Sequence, residues 1–232
     1  MMEEIVQYYK DKFAAMESLR RERRKIGVEL KFPVVDEWGN AVDYGTIKKL
    51  WTHFQRLGWE KEVDSYTGET VGVKKRGTEA TDHISTETGY CKVEFSLGQE
   101  EDLFKISDKI TRLRELIASF SQAQRAFFLG YGIQPKTPPG KKLYMKKTRS
   151  VFWERLFASN NVVDQKDGTD VHLFTIPASS QVHIEIGSKE VVDAINVFNG
   201  LAGAQIALNA NSPVWKNRID PNYKAVGEVF WD

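Results

Sequence analysis

Three short stretches of the chain alternate polar and apolar residues and put ionisable groups on their polar side. They carry Glu29 and Lys31, then Lys92 and Glu94, then His183 and Glu185. A period of two is that of a half-buried β-strand, in which side chains two apart share a face. Joined in one sheet, the three polar faces would make a surface of carboxylates with an imidazole. Carboxylate oxygens with an occasional imidazole are the donors that Mg²⁺ or Mn²⁺ takes. Ligands on strands are also stiff enough to hold ions and a nucleotide in register. The same alternation describes an ordinary half-exposed sheet whose Glu and Lys face water, and periodicity alone leaves both readings open.

The elements that must position these groups can be read along the chain. A helix is expected over residues 3–24, with Ile5, Tyr8, Tyr9, Phe13, Met16 and Leu19 on one stripe. Its basic end, Arg20 to Arg24, either complements the helix dipole or contacts phosphate. A strand follows over 26–35, then a turn at Glu37-Trp38-Gly39-Asn40. Asp43 is a candidate N-cap for a helix marked by Ile47, Leu50, Trp51, Phe54 and Leu57 and ending near Gly58. Short strands are expected at about 59–64, 69–75 and 82–86, then Cys91 to Leu97. The longest helical pattern, 100–128, carries Leu103, Ile106, Ile110, Leu113, Ile117 and Phe120 at core spacing. A Pro/Gly/Lys loop at 135–147, a short helix at 149–159 and a surface turn at 164–170 lead to a strand over 181–186. A helix over 189–209 then ends at Asn209-Ala210-Asn211-Ser212-Pro213. With no repeat and no linker, this pattern predicts one domain over 1–232. Its fold class is α+β, a mainly antiparallel sheet with helices packed on one face.

Composition excludes several function classes. Among 232 residues, 33 basic side chains meet 32 acidic ones, a net charge of +1 that argues against duplex DNA or an anionic membrane as partner. The single cysteine, Cys91, rules out an internal disulfide and any CxxC site, and makes a cytoplasmic setting the expectation. Met1-Met2-Glu3-Glu4 offers neither the basic nor the apolar region of a signal peptide. The apolar stretch 194–210 is interrupted by Asn196, Asn199, Gln205 and Asn209 and is expected to be too polar and too short to span a bilayer. In the loop Pro138 to Arg149, five cations surround Tyr144. It reads as a solvated loop, a phosphate or substrate contact, or a single-strand nucleic-acid contact, the last being disfavoured. His53 and His83 attract no role.

Four segments together resemble the glutamate–cysteine ligase superfamily of carboxylate–amine ligases. Gly27-Val28-Glu29-Leu30-Lys31 is similar to its opening strand, roughly G-x-E-x-E. Ile84 to Ser96, with Glu87 and Glu94, is similar to its second acidic stretch. Gln181-Val182-His183-Ile184-Glu185 resembles the strand that carries a polar metal or nucleotide ligand, and Ala210-Asn211-Ser212-Pro213 resembles the A-N-S-P that closes a long helix. The order is the family's, and the resemblance covers 24–217, about the first half of a usual member. It implies a glutamine-synthetase-like catalytic core with a curved antiparallel sheet, here apparently truncated. It implies ATP and Mg²⁺, with Mn²⁺ as a substitute, and an amino-acid substrate whose carboxylate becomes an acyl phosphate and then an amide, as in glutathione biosynthesis. By motif, Glu29, Glu87, Glu94 and His183 become candidate metal ligands. Lys31, Lys142, Arg149 and Glu185 become candidate ATP or substrate contacts, Lys142 because Pro138 to Arg149 resembles a P-x-G-R-Y region. No catalytic acid or base is singled out.

Two departures bear on activity. Lys31 stands where the motif has its second Glu, placing a cation where a cation ligand is expected. The later family segment has no counterpart, and the apolar ending at Phe230-Trp231 reads like a cut. The alternative function is therefore a non-catalytic or incomplete relative that binds ligand, self-associates or is completed by a second chain.

Overall fold

The computed structural model describes residues 2–18, 23–78, 80–156 and 170–230. In chain order its elements are α1 (Met2–Ser18), β1 (Ile26–Val35), α2 (Tyr44–Arg56), β2 (Glu60–Val63), β3 (Thr70–Arg76), β4 (Thr81–Thr86) and β5 (Lys92–Glu100). Then come α3 (Leu103–Gln124), β6 (Phe127–Phe128), α4 (Thr148–Leu156), β7 (Ser180–Ile184), α5 (Val191–Asn209), β8 (Val214–Trp215), β9 (Arg218–Ile219) and α6 (Val226–Val229).

Seven strands form one open sheet in the order β2-β3-β4-β5-β1, and every pairing in it is antiparallel. Beyond β1 the sheet divides: β7 pairs with Ile26 to Leu30, and the two-residue β6 pairs with Val34 and Val35. The three alternating stretches of the sequence are thus immediate neighbours, β7-β1-β5. The mixed helix and antiparallel sheet agrees with the α+β expectation.

Alternation decides which side is covered. Val34, Val73, Ile84, Val93, Phe95 and Leu97 point to one face and are buried there against Ile47, Leu50, Trp51 and Phe54 of α2 and Leu113 and Phe120 of α3. Burying a large apolar side chain contributes roughly 1.5–3 kcal/mol, so these two helices fix which face of the sheet stays polar. Asp43 caps α2 as expected, its carboxylate accepting from the Thr46 amide at 2.9 Å. The α3 stripe is core in Ile106, Leu113 and Phe120, whereas Leu103 is exposed.

Several boundaries differ from expectation for identifiable reasons. Helix α3 stops at Gln124 because Arg125 adopts a left-handed conformation (φ 51°). That position usually signals itself with glycine, so residues 127–128 read as helix but form β6. The described part of α1 ends at Ser18. Arg24, far from extending that helix, reaches the Glu190 carboxylate at 2.6 Å. The expected turn at 164–170 lies outside the described residues except for Asp170, and the predicted helix over 149–159 is described only to Leu156. Val182 and Ile184 of β7 are exposed, as are Val192, Ile195, Phe198, Leu201 and Leu208 of α5. Contrary to the expectation drawn from its amides, the stretch Ser188–Asn209 is by length and composition long and apolar enough to cross a membrane.

One loop ties the polar face together. The Tyr90 amide donates to the Leu143 carbonyl (2.9 Å) and the Met145 amide to the Thr88 carbonyl (2.8 Å), laying residues 143–145 along the β4–β5 turn. A Cβ on Gly89, in that turn, would collide with the Thr175 carbonyl oxygen. Gly89→Ala is therefore expected to destabilise the fold by about 2 kcal/mol, read as a lower urea midpoint; an unchanged midpoint would mean the turn yields freely.

Candidate functional site

Register assembles the site. Lys31 sits opposite Glu94, which sits opposite Ser85; Glu29 sits opposite Ser96 on one side and Gln181 on the other. Cross-strand partners share a face, so Glu29, Lys31, Glu94 and Gln181 all project from the side that α2 and α3 leave uncovered. Glu87 follows β4, its amide bonded to the Lys92 carbonyl at 3.0 Å.

The Lys31 ammonium lies at the centre. Its Nζ is 3.2 Å from Glu94 Oε2, 3.4 Å from Glu29 Oε2 and 3.1 Å from Gln181 Oε1. On the outer side of Glu29, His183 Nε2 is 3.3 Å from Glu29 Oε1. Ser96 donates to Glu94 Oε1 at 2.6 Å. Two further lysines close the inner side. Lys92 is buried and donates to the Phe174 carbonyl at 3.1 Å; Lys147, from the basic loop, donates to the Thr86 carbonyl.

Proton affinities follow from this packing. Glu87 and Glu94 lie close enough for each to shift the proton affinity of the other. Burial, followed by the contact with Glu87, pushes Glu94 up. For Glu87 burial acts in the same direction, but the Glu94 hydrogen bond and the charges of Lys92, Lys147 and Lys31 outweigh it and bring it down to about 2. Burial brings Lys92 down to about 8 against the pull of Glu87. Burial likewise lowers Lys147. For Lys31 burial acts downward, yet Glu94, Glu87 and Glu29 prevail and raise it.

All four candidate metal ligands and Lys31 are thus gathered in one cluster. Three other candidates are placed elsewhere. The Glu185 carboxylate accepts from the Lys25 amide at 3.0 Å, pinning the residue before β1, because β7 ends at Ile184 before the alternation reaches it. Lys142 is exposed in a single helical turn, Lys141–Leu143, and Arg149 is exposed in the first turn of α4. Lys147, Lys92 and Gln181 were not singled out from sequence. Lys92 and Gln181 were readable as polar-face positions of the alternating strands, and Lys147 as one of five cations in the loop.

Mg²⁺ can be tested against this donor set. Among the described residues no three His, Cys, Asp or Glu converge on one point, so they offer no all-protein cage. The Glu87–Glu94 pair and the Glu29–His183 pair each provide two donors. One or two carboxylates plus substrate phosphates is the ordinary protein share of an Mg²⁺ shell. The pairs fit an ion arriving on a nucleotide.

Stability in acid should report the inner pair. Glu87, held low, contributes stability that is present above its usual 4.5 and lost as pH falls toward about 2. Glu94 is pushed the opposite way, so its contribution lies above 4.5 and outside this limb. Glu87→Gln should flatten this acid limb, removing a contribution on the order of 2 kcal/mol. Urea unfolding at stepped pH measures it, and an unaltered limb would show that Glu87 is not so held.

No individual curated protein matches the chain. Residues 25–223 match the model of glutamate-cysteine ligase family 2, a span that runs from the residue before β1 past β9 and includes every residue of the cluster. The chain belongs to glutamate-cysteine ligase family 2.

Proposed function

We propose that the chain carries an ATP- and Mg²⁺-dependent carboxylate–amine ligase site of the glutamate–cysteine ligase kind, on a glutamine-synthetase-like core. The observation that carries this reading is that Glu29, Glu94 and His183 lie with Lys31, Lys92, Lys147 and Glu87 on the sheet side that α2 and α3 leave uncovered.

The chemistry sets what such a face must do. A carboxylate is a poor electrophile, because expelling an oxide from it is prohibitive. Its oxygen therefore attacks the γ-phosphorus of ATP, ADP departs, and an acyl phosphate results. An amine then adds to the acyl carbon, the C–O bond to phosphate breaks, and the nitrogen gives up a proton as the amide forms. Phosphoryl transfer is mainly a matter of positioning and of neutralising charge on the phosphates. Mg²⁺, when bound with the nucleotide, supplies that neutralisation; Glu87 and Glu94 on one side and Glu29 with His183 on the other are the residues that would hold it. Lys31, Lys92 and Lys147 add positive charge inside a face otherwise made of carboxylates. Lys142 and Arg149 stay candidates for the outer part of the nucleotide or substrate, and Glu185 supports the start of β1. Single-cysteine composition is in keeping with a reducing, cytoplasmic setting.

A second reading, a relative that binds ligand or a partner without turnover, is favoured by the exposed apolar residues of α5 and β7. Steady amide formation from this chain alone would eliminate it. Under the ligase reading, Mg·ATP with glutamate and cysteine should give amide and phosphate in equal amounts. Chelating the Mg²⁺ should stop the reaction, and Glu94→Ala should slow it about 100-fold. If calorimetry finds no Mg·ATP binding and no phosphate is released, the ligase reading fails.

A further inference from the structure

We propose that the Lys31 ammonium is a built-in cation that occupies the position between Glu29 and Glu94, so that no divalent ion binds there. Ions carried in on nucleotide are left to the flanking pairs, Glu87 with Glu94 and Glu29 with His183. This rests on the ligase reading only in taking a divalent cation as the relevant ligand.

An ammonium has three N–H donors and no acceptor. Three oxygens from three different strands surround Lys31 Nζ within 3.4 Å: Glu29 Oε2 of β1 itself, Glu94 Oε2 of β5 and Gln181 Oε1 of β7. Oxygens converging from separate rigid strands are also what a hard cation takes, so the amine stands where such an ion would bind. The Lys31 side chain is 13% exposed and its neighbours come from both sides, so it is held in this position. Lys92 and Lys147 differ, since each spends its ammonium on a backbone carbonyl, those of Phe174 and Thr86. Lys31 is seated among side-chain oxygens instead. A divalent ion entering the same oxygens would meet a fixed like charge in a partly desolvated setting, where repulsion is far stronger than in water.

The position can be counted without any enzymatic assay. Mn²⁺ is titrated into the nucleotide-free chain, and free Mn²⁺ is followed by electron paramagnetic resonance. Lys31→Met, which keeps the volume and removes the charge, should bind one Mn²⁺ more per chain than wild type. Adding Glu29→Gln to Lys31→Met should weaken that gained site by about tenfold or more. The proposal is overturned if Lys31→Met gains no site, or if the gained site is not weakened by adding Glu29→Gln. Lys31→Gln is run beside it, so that the count can be made even if Lys31→Met does not fold. Failure of the ligase assay leaves this count untouched, and a failed count leaves the ligase reading to stand on amide formation.

Discussion

Everything on the polar face depends on the register of β1 against β5. Lys31 opposite Glu94 and Phe32 opposite Val93 are two consequences of one alignment. A slip by one residue would turn every side chain of β1 to the other face, sending Glu29 and Lys31 into the apolar layer under α2 and α3. The helices prevent this. Val34 and the β5 residues Val93, Phe95 and Leu97 are buried against them, so apolar packing on one side sets the position of the charged groups on the other. The core and the site are opposite sides of one constraint.

The cluster must also satisfy its own electrostatics. Three carboxyls, two of them shifting each other in opposite directions, face three amines, two of which are lowered by burial. Isolated buried charges are costly, and a removed partner leaves the other uncompensated. Here each amine has oxygen around it, and the near-zero net charge of the whole chain is repeated locally.

What was legible in the sequence follows the same division. Alternation in 26–35, 91–97 and 181–186 revealed the three neighbouring strands β1, β5 and β7, and their polar positions pointed to Glu29, Glu94 and His183. Periodicity also found α2 with its Asp43 cap. It did not reveal that α3 yields to β6, because the left-handed turn is made by Arg125 and not by glycine. Nor did it separate Lys147 from its neighbours, since five cations in one loop look alike until hydrogen bonds to residues 88–90 determine which one faces inward. Glu185 was misleading for a simpler reason: the alternation continues in sequence after the strand has ended.

The hydrogen bonds that close the site span long stretches of chain. Lys31 and Gln181 are 150 residues apart, Lys92 and Phe174 are 82 apart, and Lys147 and Thr86 are 61 apart. The pairings that build β2 through β5 are local by comparison. Closing long loops carries an entropic cost that must be met before such contacts return anything. During folding, the sheet can form from nearby segments while the ammonium of Lys31 still lacks the oxygen supplied by β7. The charged cluster is therefore complete only when the chain from residue 170 onward has docked.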